Sequence, residues 1–195
     1  MKLHFYGKYN GDESLLPQRE HPQGYVAFRE PQNMKKFSII ITLASFFTLI
    51  IMWCLQFIRC GYVPCSIIGG ILAIACMIPH EYLHAVWFKE DVFMFVNSKQ
   101  GMLFVVGTEE MSKVRFIIMS LCPNVVFGFI PYLLFMINPS LTVLGTMGVL
   151  SLCTGVGDYL NVVNACIQMP KGAVTYLSGF HSFWYIPPEG NKEEN

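Results

Sequence analysis

The residues best equipped for chemistry stand in one short run, His80-Glu81-Tyr82-Leu83-His84, an H-E-x-x-H pattern. Histidines four apart on a helix share a face one turn apart, so both imidazoles can reach one metal ion while Glu81 stands beside them as a base toward water. Zinc suits that donor set, taking imidazole nitrogens at about 2.0 to 2.1 Å and, in hydrolytic sites, keeping one coordination position for water. With 5 His and 10 Glu among 195 residues, random placement produces the pattern in roughly 0.6% of chains of this composition. Two histidines with purely structural roles are the alternative reading.

The element that must position this run lies in an apolar desert. Hydrophobic residues make up 53% of the chain and charged residues 13%, well under the roughly 25% charged residues of soluble domains. That balance excludes soluble globular and disordered classes. A net charge of zero gives no global field for nucleic acid. Between residues 38 and 88 the acids and bases besides histidine are Arg59 and Glu81, and between 116 and 170 there is Asp158 alone. A bilayer core of about 30 Å takes about 20 apolar helical residues, and residues 38–58, 65–88, 114–137 and 141–169 supply four such stretches.

The expected fold class is therefore an all-α integral membrane bundle of about four transmembrane helices, with a short β-hairpin between the second and third spans. The hairpin reading rests on two β-prone runs within residues 92–106, separated by Asn97-Ser98-Lys99-Gln100-Gly101. It either covers one end of the bundle or offers an edge to which an extended peptide adds. Residues 1–37 read as a polar cytoplasmic arm, 38–170 as the membrane core and 171–195 as a cytoplasmic tail, with Tyr25-Val26-Ala27-Phe28 as a candidate short strand. The arm lacks the apolar run of a cleavable signal peptide, so the first span is expected to stay as an anchor. Twelve of the 13 Lys and Arg lie on the side of the N-terminus, counting Arg115 at the very start of the third span. The positive-inside rule then places both termini of a multi-pass cell-membrane protein in the cytoplasm.

A glutamate inside lipid costs roughly 2 to 3.5 kcal/mol to insert, so Glu81 needs a partner or a water-filled site. A hydrolytic zinc site wants a third protein ligand, and Asp158 is the other acid of the deserts. His80 lies 8 residues before Phe88 and Asp158 lies 11 before Met169, depths of about 12 and 16 Å at about 1.5 Å per residue. Gly155 and Gly157 can loosen the helix there and let the carboxylate swing inward. The alternative is an Asp158 bonded to neighbouring Ser, Thr or Asn without metal. Asn124, Asn161 and Asn164 could orient a ligand or bind a peptide backbone, or simply join helices. Cys76, one turn before His80, could reach the metal or merely pack. His4, His21 and His181 lie in polar flanks and read as solvated. The seven cysteines show no CxxC spacing, and only Cys60 and Cys65, flanking an outer turn, could pair.

A membrane-embedded H-E-x-x-H paired with an aspartate in a later span resembles the site-2 protease family of intramembrane zinc metalloproteases. More narrowly, the chain resembles small bacterial four-span proteins named zincin peptidases from their motif. The resemblance covers residues 65–169 and implies His80, His84 and Asp158 as zinc ligands and Glu81 as the catalytic glutamate. The aspartate here stands in Gly-Val-Gly-Asp-Tyr-Leu-Asn, unlike the Asn-Pro-Asp-Gly or Leu-Asp-Gly context usual in site-2 proteases. The expected activity is zinc-dependent hydrolysis of a peptide bond in or near a transmembrane segment of a membrane-protein substrate, with no nucleic acid involved. Two other readings stand beside it. One is a metal-binding, non-hydrolytic protein that captures single-span partners. The other is a membrane-anchored zincin acting on soluble peptides, which would ordinarily stand beside a sizeable soluble domain that the sequence does not reveal.

Overall fold

Long apolar runs without turn residues give helices in this chain, and short aromatic and β-branched runs around them give strands. A computed structural model of the protein describes residues 2–31, 34–98 and 101–188. In chain order the elements are β1 (Leu3–Lys8), β2 (Val26–Ala27), α1 (Met34–Cys60), α2 (Ile67–Ala75), α3 (Met77–Ala85), β3 (Val92–Asn97), β4 (Met102–Val106), β5 (Met111–Ser112) and α4 (Lys113–Pro123). A π-helical stretch, Asn124–Phe129, leads into α5 (Ile130–Ile137), followed by α6 (Thr142–Thr154), α7 (Val156–Gln168), β6 (Val174–Ser178) and β7 (His181–Tyr185). Two compact units result, one of helices alone and one containing every described strand.

The helical unit comprises Glu30–His80 and Leu121–Leu160. Its centre is α6, packed against α1, α2 and α5. Small residues permit the close approach: a Cβ on Gly148 would lie 2.5 Å from the backbone nitrogen of Tyr132, and one on Gly69 would lie 2.5 Å from the carbonyl of Val143. Helices in lipid associate by such packing because lipid tails remove the hydrophobic drive between them. The polarity is inverted relative to a water-soluble domain. Gln56 is fully buried and donates from Nε2 to the carbonyl of Gly145 at 3.2 Å, while Ile67 on α2 is 82% exposed.

Among the described residues three helical stretches are long and apolar enough to cross a membrane: Lys35–Cys60, Ile67–Ala85 and Lys113–Ile137. The pair Thr142–Thr154 and Val156–Gln168, bent by 51°, makes a fourth if taken as one span. The second stretch is interrupted at Cys76, between α2 and α3. Pro79 has no N–H to offer the carbonyl of Ala75, four residues back, and that missing bond marks the interruption. The helical path continues through it, since Cys76 N–H bonds Leu72 O at 2.8 Å and His80 N–H bonds Cys76 O at 2.9 Å.

The second unit comprises Met1–Arg29, Glu81–Ser120 and Asn161–Asn195, and it corrects the expected fold class. The protein is not an all-α bundle but a mixed α/β structure with two sheets and seven strands among the described residues. One sheet has the order β1-β3-β4, with β1 parallel to β3 and β3 antiparallel to β4. The other has the order β2-β7-β6-β5, antiparallel throughout. The expected hairpin strands, β3 and β4, are thus two strands of a larger sheet, and residues 99 and 100 of their connection lie outside the described residues.

Residues read as arm and tail supply β1, β2, β6 and β7. The tail in fact carries a hairpin signal, Val174–Ser178 and His181–Tyr185 about Gly179-Phe180, with Gly179 at φ 63° as a tight two-residue turn requires. Apolar residues fill the unit's interior. Phe28, Phe88, Val92, Met111, Phe116 and Met169 form one cluster, and Tyr9, Phe95, Phe104 and Val106 form another.

Candidate metal centre

Met, Leu, Glu and Ala favour helix, and α3 presents His80, Glu81 and His84 along one turn. Their ligand atoms lie within 4.8 Å of one another, the one such group of three among the described residues. The C-terminal end of α3 is firmly held. Ala85 is fully buried in the cluster of Phe28, Phe88 and Val92. Arg115 Nε donates to the carbonyl of Trp87 at 2.8 Å and its Nη1 pairs with Glu109 at 2.7 Å. Glu109 in turn accepts the backbone N–H of Lys89 and, at 2.9 Å, that of Glu90. This buried ion pair clamps the turn that follows the motif.

His84 is buried, and its Nδ1 lies 2.9 Å from the carbonyl of Met119 on α4. A carbonyl can only accept, so Nδ1 carries the ring proton and donates it. In the neutral ring Nε2 then offers its lone pair. Metal-binding histidines are fixed in this manner, with the second nitrogen donating to a carbonyl or carboxylate.

Asp158 lies in the first turn of α7. Its Oδ2 accepts from His80 Nε2 at 3.2 Å and from Asn124 Nδ2 at 2.7 Å, and the His80 and Asp158 side chains are 16% and 17% exposed. Two ligands of one tetrahedral ion with bonds of about 2.05 Å sit about 3.3 Å apart. The His80–Asp158 separation therefore accommodates either a direct hydrogen bond or a shared ion. Asp158 stands outside the mutual group of His80, Glu81 and His84. Two imidazoles, one with its tautomer set for ligation, and the neighbouring Glu81 carboxylate form a group whose chemistry fits zinc.

The remaining candidates have other surroundings. His4 donates to Asp91 at 3.1 Å, and His21 bonds the Tyr176 hydroxyl at 2.9 Å while stacking on Tyr25. Asn164 accepts from Gln168 at 3.0 Å. Cys76 and His181 do not belong to the group of potential ligands, and Cys60 and Cys65 are free thiols. Sequence reasoning missed the carbonyl of Met119 and the Glu109–Arg115 clamp. A backbone carbonyl leaves no mark on a sequence, and the clamp joins residues separated from the motif by two strands.

Residues 72–174, more than half of the chain, match the family described as "Putative zincin peptidase". No curated protein and no solved structure matches the chain.

Proposed function

We propose, since the chain belongs to this zincin peptidase family, that it is an integral membrane zinc metallopeptidase of site-2 type, cutting a peptide bond within or beside a transmembrane segment of its substrate. The family implies zinc, and His80, His84 and Asp158 are the residues assigned to hold it. The observation that carries the reading is the His84 ring, whose Nδ1 proton is committed to Met119 O so that Nε2 is set for a metal.

Zinc, when bound, supplies Lewis acidity that brings the pKa of water to about 7 and polarises a scissile carbonyl. Glu81 does the proton work. Its carboxylate takes a proton from the attacking water, whose oxygen bonds the carbonyl carbon, and then delivers that proton to the amide nitrogen as the C–N bond breaks. Asp158 is held by Asn124 and His84 by the carbonyl of Met119, which limits the motion of that carboxylate and that ring during the cycle. Water enters from the cytoplasmic side, and β4, at the edge of the β1-β3-β4 sheet, supplies main-chain groups that keep an unwound substrate extended. The excess of Lys and Arg beside the N-terminus supports cytoplasmic termini.

The test is metal analysis of detergent-purified protein beside His80→Ala, Asp158→Asn and Glu81→Gln, with cleavage of a tagged single-span reporter co-expressed in the same membranes. One zinc per chain is expected in the native protein and in Glu81→Gln, and little in the other two. Glu81→Gln should lower cleavage by on the order of 10² to 10⁴. Metal-free native protein, or a Glu81→Gln variant that cuts normally, overturns the reading.

One observation favours a second reading, a membrane-anchored zincin acting on peptides at the membrane surface. The unit that carries the two sheets is the sizeable body that such an enzyme would have. Cleavage of a soluble unfolded peptide in preference to the single-span reporter would favour it.

A further inference from the structure

Asn124 is an amide buried among apolar helices, 2% exposed, at the start of the π-helical stretch behind Pro123. Such stretches interrupt regular helix and are frequent at functional sites. Its Nδ2 donates to Asp158 Oδ2 at 2.7 Å. On its other side stands Gly155, at the bend between α6 and α7. A Cβ placed on Gly155 would fall 1.6 Å from Asn124 Oδ1 and 2.6 Å from its Cγ. The backbone of Gly155 has φ −79° and ψ 9°, open to any residue. Conformation therefore does not require glycine here, and the space needed by the Asn124 amide does. Gly157 makes the contrast, since a Cβ there would meet nothing within 4 Å.

We propose that Asn124 and Gly155 form one positioning device for Asp158: the amide holds the carboxylate, and the missing side chain of Gly155 leaves the amide its place. This rests on the zinc reading above. A ligating carboxylate that is itself hydrogen-bonded keeps its orientation, and loss of such a partner typically weakens metal binding by about 10- to 100-fold.

The experiment measures cobalt(II) binding to the full chain in detergent, by competition with a chromophoric chelator and by the visible spectrum of the bound ion. Asn124→Ala and Gly155→Ala should each weaken binding by about 10- to 100-fold and alter the spectrum, while Gly157→Ala should match the native protein. The double variant Asn124→Ala/Gly155→Ala should bind no more weakly than Asn124→Ala, because the added methyl then has no amide to displace. If Asn124→Ala does not fold, Asn124→Ser and Gly155→Ala carry the same comparison. Native affinity and spectrum in the Asn124 variant overturn the proposal, as does a Gly155→Ala loss that adds in full to that of Asn124→Ala. A native chain that binds neither cobalt nor zinc overturns the zinc reading and this one with it, so the two failures are told apart.

Discussion

The helical unit and the two-sheet unit solve opposite problems with the same alphabet. In the first, large apolar side chains such as Ile67 and Ile74 face outward, and the buried positions include Gln56, Asn124 and Ser151. In the second, aromatic rings close on one another inside, Tyr9 against Phe104 and Phe180 with centroids 5.7 and 5.1 Å apart. Among the buried polar groups of the helical unit is Asn124, which donates to the candidate ligand Asp158 at 2.7 Å. Polarity inside the sheet unit, as in Glu109–Arg115, holds architecture together.

That contrast is most exposed to refutation at two carboxylates. Asp158→Asn should remove the metal and leave the fold, whereas Glu109→Gln leaves Arg115 buried without its counter-charge and should cost about 3 to 5 kcal/mol of stability with the metal retained. Thermal unfolding and metal analysis of both variants decide it, and equal stability losses would erase the distinction. A smaller effect concerns the outward faces. Ile74→Lys, on a residue 70% exposed, should cost about 2.5 to 3.5 kcal/mol of membrane insertion. Phe5→Lys on β1, 69% exposed, should stay within about 0.5 kcal/mol. The inserted fraction of each variant checks this, and comparable losses would place both faces in one environment.

The smallest effect is alkaline. The Tyr185 hydroxyl donates to Glu110 at 2.6 Å, and burial, followed by Glu110, pushes its pKa from 10.0 to about 12. The folded chain keeps this proton where the unfolded chain has lost it. Stability from this group is intact below pH 10 and declines as the pH rises from about 10 toward 12. Unfolding midpoints across that range should fall in the native protein and fall less in Tyr185→Phe. An identical decline in both would remove Tyr185 from the account.

The helices were legible because an apolar run of 20 or more residues has few alternatives, and the motif because its spacing matches the helical turn. His80 and Asp158 could be paired from depth alone, 78 residues apart in sequence and 3.2 Å apart in space. The sheets were not legible in the same way. β1 reads Leu-His-Phe-Tyr-Gly-Lys, half polar and broken by a bulge between Phe5 and Gly7. β7 reads His-Ser-Phe-Trp-Tyr, and in its sheet it lies between β6, just before it in the chain, and β2, from the N-terminal segment. Such strands gain stability from long-range pairing, which local pattern does not encode. Gly155 could be seen only as a helix loosener, since its need for empty space depends on a residue 31 positions earlier.

Strand pairing also imposes a parity. β1 precedes α1 and bonds β3, which follows α3, while β5 precedes α4 and bonds β6, which follows α7. Hydrogen-bonded strands must share one aqueous compartment. Any membrane crossed by the intervening helices is therefore crossed an even number of times in each interval. A ribosome delivers β1 more than 80 residues before its partner β3, so the two strands can pair only after the helices between them have been made.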